Sequence, residues 1–153
     1  MTNTITPYIT VKGAAKAIEF YKKAFGAVEN AARYTEPGGR VGHAEIAIGG
    51  ARIMLSDEHP EIDVLSPQSL GGTPTMFHLT VADAAATVAR AAAEGATVQR
   101  AVEEQPYGER SGTIKDPFGH RWMIATHIED VSKAELQKRV GDTLERTDAP
   151  WEI

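Results

Sequence analysis

Cysteine is absent from the 153 residues, and with it go disulfide staples, thiol catalysis and every zinc site built on thiolates. Long apolar runs are missing too. No segment approaches the roughly 20 residues that span a bilayer. The opening Met1-Thr2-Asn3-Thr4 has neither the basic nor the apolar region of a secretory signal. The expected address is the cytoplasm, with no membrane partner. Clustered positive charge is also lacking: 16 Lys+Arg stand against 21 Asp+Glu, a net charge of −5, and no basic stripe forms. Phosphate backbones are bound by grouped cations, so nucleic acid is excluded as a partner. Aromatic residues are sparse at 7%, yet 42% of the chain is hydrophobic, enough at this length for one ordinary globular core.

What is present is a repeat. Tyr8-Ile9-Thr10-Val11, followed by Ala14-Ala15 and Ile18, returns as His78-Leu79-Thr80-Val81, followed by Ala84-Ala85 and Val88. The offset is 70 residues and shrinks to 69 at Gly26-Ala27 and Gly95-Ala96. In each copy a short alternating strand runs into an Ala-rich helix that stops at a glycine. The first helix is expected over 14–25, with Gly26 as a left-handed cap; the second opens on Asp83 and closes on Gly95. Three strands are expected after each helix, at 28–35, 40–48 and 51–56, then at 97–103, 109–115 and 119–126.

The fold class is therefore α+β, a tandem pair of βαβββ modules over residues 1–56 and 75–127. The linker 57–74, holding Pro60, Pro67, Gly71, Gly72 and Pro74, has the length of loops that are often functional or mobile. In the C-terminal segment 128–153 a third helix is expected over 132–146, capped by Ser132, with Glu135 at the capping-box position. Leu136, Val140 and Leu144 line one side of it, and Trp151 offers an anchor for the tail. All four parts are read as one structural domain.

Strand alternation assigns two faces. Ile5, Pro7, Ile9 and Val11 oppose Thr6, Tyr8 and Thr10; Ile53 and Leu55 oppose Arg52, Met54 and Ser56. Phe77, Leu79 and Val81 oppose Met76, His78 and Thr80; Trp122 and Ile124 oppose Arg121, Met123 and Ala125. The first face in each case is what a helix covers. The second mixes methionine with polar and charged groups, the character of a concave sheet lining a pocket. The methionines serve equally well as core filler. His43 and Glu45 share a strand face and either pair, face solvent or act as acid–base groups. Arg52, Arg110 and Arg121 are surface residues or clamps for an anionic group.

The tandem modules resemble the vicinal oxygen chelate superfamily, which includes glyoxalase I, extradiol dioxygenases and bleomycin-resistance proteins. The phrases YITVKGAAKAIEFYKKAFGA, HAEI, SPQSLGGTP and YGERSGTIKDPFGHRWMIATHIEDV resemble its PhnB-like branch, over residues 5 to about 131. The resemblance implies curled, mixed sheets around one cavity, often in a homodimer. It also implies four metal-ligand positions, which fall here on Thr6, Met54, Met76 and Met123. Methionine sulfur is a poor donor for the hard and borderline cations such sites hold, so no metal and no cofactor is expected. The leading expectation is a metal-free protein that binds or sequesters a small molecule between Tyr8, Arg52, Met54, Met76, His78 and Met123. The alternative is an enzyme of lyase, isomerase or dioxygenase type, with His43, Glu45 and His78 as a metal or proton-transfer centre. An interaction protein with a vestigial cavity is a third class. No Gly-rich loop for S-adenosylmethionine is present, which speaks against a methyltransferase.

Overall fold

The computed structural model describes residues 1–141. Its elements run β1 (Tyr8–Val11), α1 (Ala14–Phe25), β2 (Val28–Glu29), β3 (Tyr34–Thr35), β4 (Val41–Ile48) and β5 (Ala51–Asp57) in the first module. The second holds β6 (Met76–Thr80), α3 (Ala84–Ala93), β7 (Thr97–Glu104), β8 (Glu109–Lys115) and β9 (Arg121–His127). Sheet 1 is ordered β1-β5-β4-β2, with β3 also on β4; sheet 2 is ordered β6-β9-β8-β7. In both, the opening strand lies parallel to the closing one, and the remaining pairs are antiparallel. The sheets are mixed, as the repeat predicts, and they do not close into a barrel.

The single strand expected over 28–35 is two short strands, separated by residues 30–33. The break keeps both on β4, but their registers differ, with a further shift between Tyr34 and Thr35. The linker is ordered. It carries a single-turn 3-10 helix (Pro60–Ile62) and α2 (Pro67–Leu70), whose Ser66 side chain accepts from the Ser69 amide. The last helix, α4, spans Lys133–Val140, with Ser132 capping the Glu135 amide and Leu136 buried. Leu144 and Trp151 lie outside the described residues.

Both principal helices begin with help from a distant strand. Gly13, with φ at 91°, brings no capping side chain to α1. Asp57 at the end of β5 supplies one instead: its Oδ1 accepts from the Gly13 and Ala14 amides at 2.8 and 2.7 Å. Its Oδ2 accepts from Val41 N at 2.8 Å. One repeat later, Thr126 Oγ1 accepts from Ala84 N at 2.7 Å, while Asp83 caps the Ala86 amide. A carboxylate and a hydroxyl thus hold equivalent posts, each neutralising donors that the first turn of a helix leaves unpaired.

The helix-covered faces of both sheets merge in one continuous core, where Ile9, Val11, Ile46 and Leu55 join Val88, Ile114, Trp122 and Ile124. Helix α1 packs against α3. The seam is polar at one point. Buried Asp116 accepts from Tyr21 Oη at 2.6 Å and Trp122 Nε1 at 2.9 Å on one oxygen. Its other oxygen accepts from the amides of Phe118 and His120, at 2.9 and 3.0 Å. Burial and the Asp116 charge hold the Tyr21 phenol well above its ordinary value. His120 Nε2 donates to Thr10 O at 2.9 Å. Ile5 departs from its expected face: it precedes the first paired residue of β1 and is 96% exposed. Phe77 and Leu79, on the edge strand β6, are half-buried.

Candidate functional site

The residues singled out by strand alternation fall on the two inner faces, opposite the shared core. On sheet 1, Tyr8 stands beside Met54, and Met54 beside Glu45, in one row across three strands. The Tyr8 hydroxyl lies 2.9 Å from His43 Nδ1, and His43 Nε2 lies 3.3 Å from Glu45 Oε1. Arg52 Nη1 stands 3.7 Å from the other Glu45 oxygen. Tyr8 and Arg52 are exposed; Met54, His43 and Glu45 are half-buried.

On sheet 2, His78 stands beside Met123, and Met123 beside Thr113. His78 Nε2 faces Glu109 Oε2 at 3.6 Å, an ion-pair distance rather than a hydrogen bond. The structure therefore divides the expected group of His43, Glu45 and His78. The first two stay together, and His78 takes a partner, Glu109, that strand spacing alone does not reveal. The two sheets are unequal where they correspond. Glu45 pairs with Met54 as Thr113 pairs with Met123, so Thr113 occupies the place of Glu45. Ser111, two residues earlier, occupies that of His43. Both hydroxyl residues are buried.

A groove of about 490 Å³ joins the two sheets at the seam, lined by Thr6, Arg52 and His78 over a floor that includes Phe77, Leu79 and Trp122. A second recess, about 450 Å³, lies between sheet 1 and the linker, against Tyr8, Thr10, Ser56, His59 and Leu65. The linker is fastened over that end of the sheet. His59 Nε2 meets Glu36 Oε1 at 2.9 Å, and Arg40 reaches Glu61 at 2.8 Å and Glu36 at 2.8 Å. Glu58 accepts from the Ser66 hydroxyl and amide at 2.6 and 2.7 Å. The Ser66 and Ser69 hydroxyls, with the Ser66 amide, draw its carboxyl down to about 2. Sequence spacing does not signal the contacts that reach the linker, because Arg40 and Glu61 are 21 residues apart and Glu36 and His59 are 23 apart.

Among the described residues no group of three or more His, Asp or Glu side chains is placed to hold a metal ion. Met54 and Met123 hold matching posts in the two sheets, beside Tyr8 and His78 respectively. Thioethers at such posts do not fit a hard or borderline divalent cation.

A family model described as Glyoxalase/Bleomycin resistance protein/Dioxygenase superfamily matches residues 3–124. An uncharacterized protein of Mycobacterium tuberculosis is 43% identical over 136 residues, covering 87% of this chain and 79% of that protein. The X-ray structure of a gene product from Arabidopsis thaliana matches with a TM-score of 0.64 at 27% identity, over 82% of this chain and 99% of that one. A PhnB protein from Bacillus cereus matches with a TM-score of 0.61 at 20% identity, over 81% and 99%. That last likeness speaks to the fold alone.

Proposed function

The chain belongs to the glyoxalase/bleomycin resistance protein/dioxygenase superfamily, and we propose that it serves there as a metal-independent, cytoplasmic binder of a small molecule. The ligand lies on the inner sheet faces of a homodimer. Tyr8, Arg52, Met54, Met76, His78 and Met123 contact it.

The observation that carries this reading is the pair of methionines at matching posts. Met54 and Met123 are half-buried rather than packed away, and each is flanked by a side chain with a polar end, Tyr8 or His78. A flexible thioether floor with a few polar groups at its margin suits an apolar or flat ligand with one polar end. Dimerisation is supported by the open sheets. Among the described residues, strands β1 and β6 sit at sheet ends, each with one unpaired edge, and the groove between the sheets is not closed over. A second copy is an economical cover for both.

The test is to purify the protein, remove metal with a chelator, and identify small molecules that remain bound by native mass spectrometry. Retention after chelation, weakened by His78→Ala or Tyr8→Ala, is the expected result. Tight, saturable binding of a divalent metal, lost on His43→Ala or Glu45→Ala, would overturn the reading. Light scattering at micromolar concentration should give twice the 16.5 kDa chain mass; a monomer would refute the dimer.

A further inference from the structure

Sheet 1 carries a hydrogen-bond chain that binding alone does not require. A carboxylate only accepts, so Glu45 makes Nε2 of His43 the donor across their 3.3 Å contact. That leaves Nδ1 as the acceptor, 2.9 Å from the Tyr8 hydroxyl, which donates. The chain runs one way, from phenol to imidazole to carboxylate. Its open end is Tyr8, which is 51% exposed. Facing His43 are Tyr8 from β1, Tyr34 as register partner on β3, and Glu45 on its own strand, with Arg52 beyond Glu45. Sheet 2 holds His78, Met123, Ser111 and Thr113 at the equivalent posts and forms no such chain.

We infer that Tyr8, His43 and Glu45 form a metal-free proton-transfer unit acting on a small anionic carbon acid, an inference that rests on the inner face of sheet 1 being a ligand face. The class of substrate follows from two features. Phenols match in acidity the C–H groups flanked by two carbonyls or a nitro group, and proton transfer is most efficient between groups of similar acidity. Arg52 lies two residues from Met54 on the same face of β5, about 7 Å along the strand. A guanidinium there pairs with a carboxylate on the same short molecule.

The step balances without a co-reactant. The substrate C–H bond breaks, and its electron pair is delocalised onto the carbonyl or nitro oxygens. The proton passes to Tyr8 Oη as the Tyr8 proton passes to His43 Nδ1. The resulting imidazolium is neutralised by Glu45. Return of a proton to carbon, at the same or a conjugated position, resets all three groups. Tyr8 is the catalytic residue, whereas His43 and Glu45 act through it as positioning residues.

The probe is 3-nitropropanoate in deuterated buffer, with the chelator-treated full chain. Exchange at the nitro-bearing carbon is followed by proton NMR, and binding by calorimetry. Exchange should exceed the buffer rate and fall about 100-fold in Tyr8→Phe, which removes a single exposed hydroxyl. His43→Gln should lose a similar factor in kcat at unchanged KM. A purely structural role for His43 would raise KM as well. Arg52→Gln should raise KM and spare kcat. Equal exchange in wild type and Tyr8→Phe, or probe binding without exchange, overturns the inference and leaves the binding reading standing. Failure to bind the probe overturns the assignment of an anionic carbon acid.

Discussion

Asp116→Asn is a nearly volume-neutral change, so its cost isolates hydrogen bonding at the seam between the modules. The carboxylate is 3% exposed and accepts four hydrogen bonds, two on each oxygen. An amide has one accepting oxygen. Whichever way it turns, its nitrogen faces two buried donors: either Tyr21 Oη and Trp122 Nε1, or the Phe118 and His120 amides. Hydrogen bonds to a charged group contribute about 1.5–3 kcal/mol each, so losing two costs about 3–6 kcal/mol. That is a large part of the roughly 5–15 kcal/mol that holds a domain folded. Tyr21→Phe removes one donor and leaves the carboxylate its other three, for about 1.5–3 kcal/mol. Urea unfolding at pH 7, with unchanged m-values, should rank wild type above Tyr21→Phe and Tyr21→Phe above Asp116→Asn. The Tyr21 phenol is raised in the folded state. Its contribution is therefore complete below the ordinary phenol value of 10.0 and is lost as pH climbs past it. Tyr21→Phe should flatten that alkaline decline. If Asp116→Asn costs no more than Tyr21→Phe, the carboxylate is not the acceptor that joins the modules.

Gly108→Ala should lower the melting temperature by the equivalent of about 2 kcal/mol or more. Gly108 has φ at 91°, and a Cβ there meets the Glu129 carbonyl. Gly38→Ala, with open space around it and no positive φ, should melt as wild type does. Glu58 holds the linker through a carboxyl drawn down to about 2. Its contribution is present above the ordinary 4.5 and fades as pH falls toward that lower value. The Ser66 amide proton should report that midpoint by NMR, and Glu58→Gln should abolish the titration; a midpoint near 4.5 would show that the contact does not form.

Local chemistry made much of the fold readable. The paired strand–helix–glycine phrases gave two modules because each glycine stops a helix where a left-handed cap is needed, and α1 ends at Phe25 as Gly26 requires. Alternation placed Trp122, Ile124, Ile53 and Leu55 on covered faces, and all four are buried. Other features depend on pairing across the chain. Tyr21 and Asp116 are 95 residues apart, and Tyr8 and His43 are 35 apart; no periodicity relates them. Alternation put Tyr8, His43 and Glu45 on inward faces but gave no sign that a hydroxyl and an imidazole would meet across Met54. The splitting of 28–35 was hidden because β-propensity does not report register. Order in the linker was hidden for a different reason. Its prolines and glycines suggested a loose loop, whereas Arg40, Glu36 and Glu58 tie it down through contacts set by the tertiary fold.

The unequal inner faces have a consequence for how a ligand is oriented. Two copies of one module, left identical, would present a molecule between them with the same surroundings at either end, and it could bind either way round. Here the sheet 1 wall sets Tyr8, His43 and Glu45 where the sheet 2 wall sets His78, Ser111 and Thr113, with His78 facing Glu109 instead. A ligand that spans a sheet 1 face and a sheet 2 face therefore meets different groups at its two ends, and one direction of binding is preferred over the reverse. A fixed direction of this kind follows from three unlike posts in a duplicated frame.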